Sequence, residues 1–246
     1  MTLSPPPPHL VNNLLAVLKP ADAAALNEHL TAQETAGGEV LFEQGETVRY
    51  AYFPTGATMV SFVVSVDGGR GIETALIGRE GAVGGIVSQG RLPAYCRAVV
   101  QNRGGPLLRI ETVQLEAAKA RSPSLRHLFA RYADCLLAQV FQSVACNAAH
   151  TIEERASKWL AAAVERTGAT SITMTQDELA SLLGVGRSYM SQFLKSLKAR
   201  GLVETGRGRI KVLSPAGLSR LSCNCNELVK AHFDEVLAGV YPDKDA

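Results

Sequence analysis

The side chains best placed to do chemistry lie late in the chain. Between residues 187 and 211 there are seven Lys/Arg and one acid, Glu204. Within that stretch Met190, Phe193, Leu194 and Leu197 follow the i, i+3, i+4, i+7 spacing of a helix with one buried face. The opposite face then carries Arg187, Ser188, Ser191 and Gln192, followed by Lys195 and Lys198. An arginine fork matches a guanine edge, a glutamine carboxamide matches adenine, and serine hydroxyls adapt to either. These four are the candidate base-reading residues. Lys195 and Lys198 lie further along and suit phosphates, which position a protein on a duplex without reading sequence. Thr175, Gln176, Tyr189, Arg207 and Arg209 complete the candidate phosphate-binding set.

Other constellations are weaker. Cys223-Asn-Cys225 is a close pair that, with Cys96, Cys135 or Cys146, could hold a metal or act as a redox switch. A four-ligand zinc site usually shows two close pairs, and one is visible, so no metal and no cofactor is assigned. The histidines are 9, 29, 127, 150 and 232, and none falls between Gly37 and Ile110, where a metal enzyme on a β-barrel would need them. There is no GxxxxGK[ST] phosphate loop and no G-x-S-x-G elbow. No catalytic constellation is present, and the chain is read as a non-enzyme.

The candidate base-reading helix needs a scaffold. Thr175 and Glu178 have capping-box spacing, and the helix they start carries Leu179, Leu182 and Leu183 on one face. Ala180 allows close crossing, and Gly184 permits a sharp left-handed turn into a second helix over residues 187–200. Two helices so joined are a helix-turn-helix, whose second helix enters a DNA major groove. Residues 202–204 and 209–213 read as two strands, a basic wing that brings Arg207 and Arg209 to the backbone. An amphipathic helix over 152–166 precedes this unit.

Upstream, residues 124–150 contain no Gly or Pro and predict a helix roughly 40 Å long. Phe129, Tyr132, Leu136, Val140 and Val144 form an apolar stripe on it, read as a dimerisation seam. Between residues 37 and 110, glycines punctuate short β-rich runs. Residues 59–66 alternate, with Val60, Phe62, Val64 and Val66 facing inward and Ser61 and Ser65 outward. Asp67-Gly68 signals a hairpin, and 72–77, 96–101 and 106–110 supply further strands of a small barrel or roll. Two short helices, over 10–18 and 21–30, precede the roll and break at Pro20, and 113–120 forms another after it. The fold class is therefore α+β. The expected units are a flexible tail (1–8), a β-roll sensor (9–122), a dimerisation helix (123–150), a winged helix-turn-helix (151–222) and a helical tail (223–246).

Composition agrees with this division. The 246 residues are 46% apolar and 20% charged, enough for a core and against global disorder. Charge is balanced over residues 1–150, net +5 over 151–220 and net −3 over 221–246. A confined basic patch is the electrostatic footprint of nucleic-acid binding. No apolar run approaches the roughly 20 residues of a membrane span, and MTLSPPPPHL lacks the pattern of a signal peptide. Five scattered cysteines fit a reducing cytoplasm.

Three stretches carry a resemblance to a known family: YFPTGATMVSFVV with GIETALIGREGAVGG, then EERASKWLAAAVER, then TQDELASLLGVGRSYMSQFLKSLKARGLVETGRGRI. From about residue 10 to 235 the chain resembles the Crp/Fnr superfamily of bacterial transcription regulators. The resemblance implies a β-roll of cyclic-nucleotide-binding type, a long dimerisation helix and a winged helix-turn-helix. It further implies a homodimer on a two-fold symmetric site in double-stranded DNA, with RNA polymerase as a candidate partner and an unidentified small-molecule effector. Cyclic-AMP binders of the family carry a Gly-Glu pair and then Arg-Ser about ten residues on. Here Gly84-Gly85 and Tyr95-Cys96 stand there, so control by cyclic AMP is not expected. The N-terminal cysteine cluster of oxygen-sensing members is absent, Cys96 being the first cysteine. Where well-known members have Glu in the recognition helix this chain has Ser188, so their operator does not transfer. The alternative is a ligand-controlled signalling protein or enzyme regulatory subunit whose helical C-terminus binds protein. Steep salt dependence of duplex binding separates the two.

Overall fold

A computed structural model describes residues 12–86 and 92–238. The tail expected over residues 1–8 lies outside them. The described chain starts with α1 (Asn13–Ala16) and α2 (Pro20–Asn27). Pro20 opens α2 rather than merely interrupting the helices, since a helix's first position needs no N–H donor. Asn12 caps α1, and its buried amide donates to the carbonyls of Pro54 and Gly81, tying that helix to the roll.

The roll has two sheets. In one, β1 (Thr31–Ala36), β7 (Gly104–Glu111) and β3 (Tyr50–Pro54) lie in that order, all antiparallel. In the other, β2 (Val40–Phe42), β6 (Arg97–Val100), β4 (Val60–Val66) and β5 (Arg70–Ile77) lie in that order. β1 was not expected, because its sequence TAQETA lacks β-branched density; it is an edge strand held by pairing to β7. β4 and β5 join through a tight 3-10 turn at Asp67–Gly69, where the hairpin was expected. The inward and outward faces of β4 differ from the alternation rule. Ser61 is fully buried and Val66 is exposed. A register shift falls between Phe62 and Val63, and the Ser61 hydroxyl donates to the carboxylate of Glu73 on β5.

After the roll come α3 (Thr112–Arg121) and α4 (Pro123–Ala149), a single helix of 27 residues. Ser122 caps α4 by accepting from the Leu125 N–H at 3.1 Å, and Pro123 occupies its first turn. The apolar stripe expected as a dimer seam divides between two environments. Phe129 and Tyr132 are buried within the protomer against Phe53, Ile110 and Leu115, and Leu136 packs on the second roll core beside Val60 and Ile77. The Tyr132 hydroxyl donates to the Ala82 carbonyl and accepts from its N–H, both at 2.8 Å. Phe129, Tyr132 and Leu136 are thus roll-facing. The outward face shows Leu137, Phe141 and Val144, 48%, 63% and 64% exposed, with Val140 half-buried between the two faces.

α5 (Ile152–Thr167) starts on a capping box between Thr151 and Glu154 and stops at Gly168, which adopts a left-handed backbone. It enters a separate core with β8 (Ser171–Ile172), α6 (Gln176–Leu182), α7 (Arg187–Ala199), β9 (Val203–Gly206), β10 (Arg209–Val212) and α8 (Pro215–Ser219). The last element, α9 (Cys225–Leu237), packs back along α4, and Arg131 donates to the carbonyls of Val236 and Ala238 at its end. The two lobes touch: Met59 and Leu76 of the roll join the C-terminal core. Trp159 Nε1–H donates to Glu73 at 2.8 Å, and Arg166 pairs with Glu80 at 2.9 Å.

Candidate nucleic-acid interface

The local chemistry of α6 and α7 explains their geometry. The Thr175 hydroxyl accepts from the Glu178 N–H at 3.1 Å, and the Glu178 carboxylate accepts from the Thr175 N–H at 2.6 Å. This reciprocal cap satisfies two of the donors that a helix start leaves open. α6 then buries Leu179 and Ala180. Gly184, at φ 72°, turns the chain, and a Cβ there would stand 2.9 Å from Ile72 Cδ1 of β5. That close approach seats the turn against the roll. Gly186 precedes α7, which sinks Met190, Phe193, Leu194 and Leu197 into a core with Trp159, Leu160, Val203 and Ile210.

Burying that stripe turns the polar face outward. Arg187, Ser188, Tyr189, Gln192, Lys195 and Lys198 are exposed, and Ser191 is half-buried. Arg187, 76% exposed at its side chain, pairs through Nε with Asp177 Oδ1 at 3.2 Å, linking the first turns of the two helices. The Tyr189 hydroxyl donates to the Glu153 carboxylate at the start of α5. Thr175 is exposed and Gln176 half-buried at the start of α6. Across the hairpin, Arg209 pairs with Gly206 and Arg207-Gly208 form its two-residue tip, with Gly208 at φ 62°. Arg207 and Arg209 are exposed, while Ile210 and Val212 anchor the strand in the core. β8 completes the wing sheet, in the order β8-β10-β9. The base-reading and phosphate-binding candidates therefore share one helix-turn-helix and wing. The two carboxylates that engage Arg187 and Tyr189 were not anticipated. Asp177 sits in the first turn of a capped helix, where acids are common, so its spacing carried no distinguishing signal.

Known structures share this architecture. FixK2 from Bradyrhizobium japonicum aligns with a TM-score of 0.65 at 18% identity, over 79% of this chain and 98% of that one. TTHB099, a CRP-family transcriptional regulator from Thermus thermophilus, gives 0.64 at 20% identity, over 77% and 96%. The c-di-GMP responsive global regulator CLP of Xanthomonas campestris gives 0.63 at 16% identity, over 80% and 100%. In sequence, residues 154–221 match the model of the Crp-like helix-turn-helix domain. Residues 154–221 thus carry a Crp-like helix-turn-helix domain, and the described chain shares the fold of these regulators. No curated protein matches it in sequence.

The roll is tightly packed at the place where the sequence lacks the Gly-Glu pair of cyclic-AMP binders. Gly84 and Gly85 both take left-handed backbone, at φ 77° and 58°. A Cβ at Gly85 would fall 2.4 Å from Thr112 Cγ2, so a ribose-binding glutamate has no room there. Tyr95 is 80% exposed, pointing away from the core. The cysteines also separate. Cys96 lies in the roll and Cys135 is buried in α4, whereas Cys146, Cys223 and Cys225 form a buried cluster of their own.

Proposed function

We propose that this chain is a DNA-binding regulator of the Crp/Fnr type that acts as a homodimer on a two-fold symmetric operator in double-stranded DNA. One α7 from each protomer enters a major groove, the two half-sites lying about 34 Å apart. The observation that carries this reading is α7 itself: its apolar face is fully committed to the core and its outward face holds Arg187, Ser188, Gln192, Lys195 and Lys198. Arg187, Ser188, Ser191 and Gln192 read bases. Thr175, Gln176, Tyr189, Lys195, Lys198, Arg207 and Arg209 meet phosphates. The exposed Leu137, Phe141 and Val144 of α4 support pairing with a second copy, since a lone helix gains nothing by presenting such a face to water.

The protein works by binding rather than catalysis, beside promoters, with RNA polymerase as the partner that reads its position. No helix among the described residues is long and apolar enough to cross a membrane. A regulator of chromosomal DNA acts in the bacterial cytoplasm. Cyclic AMP is not its effector, a reading supported by the tight packing at Gly85. The test is selection of bound duplexes from a random pool. An inverted-repeat site whose affinity falls steeply with salt is expected, and it is unaltered by cyclic AMP. Absence of duplex binding at low salt would overturn the proposal.

A further inference from the structure

Four potential metal ligands converge where the two lobes and the C-terminal helix meet. Cys146 lies in the last turn of α4, His150 caps that helix, and Cys223 and Cys225 flank Asn224 at the start of α9. The three cysteines are buried and His150 is half-buried. The three sulfurs and a ring nitrogen of His150 all lie within 4.8 Å of one another. Cys146 Sγ stands 3.6 Å from Cys223 Sγ, and Cys225 Sγ stands 3.6 Å from His150 Nδ1. Bonds of about 2.3 Å to sulfur and 2.0–2.1 Å to nitrogen, set at tetrahedral angles, place ligand atoms roughly 3.5–3.8 Å apart. The two 3.6 Å separations match ligands of one ion, and the whole set lies close enough to converge on it.

The surroundings suit thiolates. Lys158 Nζ donates to Cys146 Sγ at 3.3 Å, and Gln142 Nε2 donates to Cys225 Sγ at 3.1 Å. Three thiolates and a neutral imidazole around a divalent ion carry one net negative charge, which the Lys158 ammonium offsets. Donors to ligating sulfur of this kind orient a first coordination shell. A cleft lined by Lys158, Ser222, Cys223 and Asn226 opens beside Cys223 and gives an ion a way in. Plain apolar packing calls for neither a lysine nor a glutamine aimed at sulfur. An iron–sulfur cluster divides its protein ligands among two or more irons, which needs a wider ligand set than this one. A disulfide would use two sulfurs, bonded at about 2.05 Å, and leave the third cysteine and the histidine unexplained.

We propose that Cys146, His150, Cys223 and Cys225 form a Cys3His site for a single tetrahedral zinc-class ion. Along the chain the ligands make two close pairs, C-x-x-x-H and C-x-C. Counting cysteine pairs alone overlooks the first, because its partner is a histidine one helical turn away. Binding exchanges three thiol protons, released to solvent, for one divalent ion, with no change of oxidation state. The ion staples the end of α4 to the start of α9. Cys223 follows α8, which packs on α5, so the same ion fixes the DNA-binding lobe to the long helix.

The experiment uses the full chain purified under reducing conditions without chelator. Elemental analysis is expected to find one zinc per chain, retained in Cys96→Ser and lost in Cys223→Ser and His150→Ala. Replacing zinc with Co2+ is expected to give the intense absorption of a tetrahedral thiolate site. Gln142→Ala weakens zinc affinity roughly 10–100-fold. His150→Cys guards against misfolding: it retains the ion and shifts the cobalt spectrum toward an all-sulfur site. Any of three results overturns the proposal: no stoichiometric zinc after reconstitution, equal metal in Cys223→Ser, or an iron–sulfur chromophore or Cys146–Cys223 disulfide instead. None of these readouts depends on DNA, so failure here leaves the operator proposal standing.

Discussion

Arg187 leans on Asp177 across the mouth of the helix-turn-helix, and both partners are largely exposed. Such a pair is worth little in water, so a guanine edge can replace the carboxylate at small cost. Arg187→Ala is expected to cost about 1–3 kcal/mol on the preferred site and to relax one base position. Arg207→Ala, at the wing tip, weakens all duplexes about equally and lowers the salt slope by about one. Titrations of both variants against the preferred site and scrambled duplexes check this; identical uniform losses would misplace the recognition helix. Asp177→Asn removes a negative charge from the same surface. It raises affinity for every duplex while keeping their order, which the same titrations measure. The polar face of α7 was legible because burial there follows the helical period residue by residue. The acids facing it were not, because Asp177 and Glu153 reach it from other helices.

At the scale of elements, α4 shows what periodicity leaves open. Each four-residue step advances about 40° around a helix. The stripe from Phe129 through Tyr132, Leu136 and Val140 to Val144 therefore drifts from the roll-facing side to the solvent side. Leu137, Phe141 and Val144 stay within one narrow sector, at alternating steps of four and three, as a self-pairing seam requires. A helix apolar on two sides offers both readings to its sequence, and the roll decides which side is taken. Phe141→Glu is expected to yield monomers with near-normal thermal stability. Leu136→Glu, aimed at Val60 and Ile77, is expected to lower the melting temperature instead. Sedimentation velocity and thermal unfolding on the two variants separate these outcomes. β1 escaped notice for a related reason: an edge strand owes its state to its neighbour, here β7, and not to its own residues.

At the scale of the whole molecule, the contact between lobes is built on a buried acid. Glu73 accepts from Ser61 and from Trp159. Burial nonetheless pushes its carboxyl from 4.5 up to about 7, against those two donors and the charges of Arg166 and Lys158. A raised acid binds its proton in the folded protein at pH values where the unfolded chain has released it. Stability therefore falls as pH rises from about 4.5 to about 7 and levels off above, by on the order of 3 kcal/mol in all. Glu73→Gln keeps an oxygen for the Trp159 N–H and flattens that profile. Melting temperatures between pH 5 and 8 test it; a slope unchanged in the variant would assign the effect elsewhere. Both lobes could be anticipated from local patterns. Their junction, and the meeting of Cys146 with residues 77 positions away, could not, because such contacts depend on how finished lobes dock.

Trp159 is the chain's single tryptophan, and its indole sits at that junction, 4% exposed, with its N–H held by the roll. The molecule thus carries its own optical gauge. Fluorescence excited at this one indole reports lobe separation without an added dye, its emission moving to the red as water reaches the ring. An effector that frees the DNA-binding lobe would announce itself in that colour change before any operator is known.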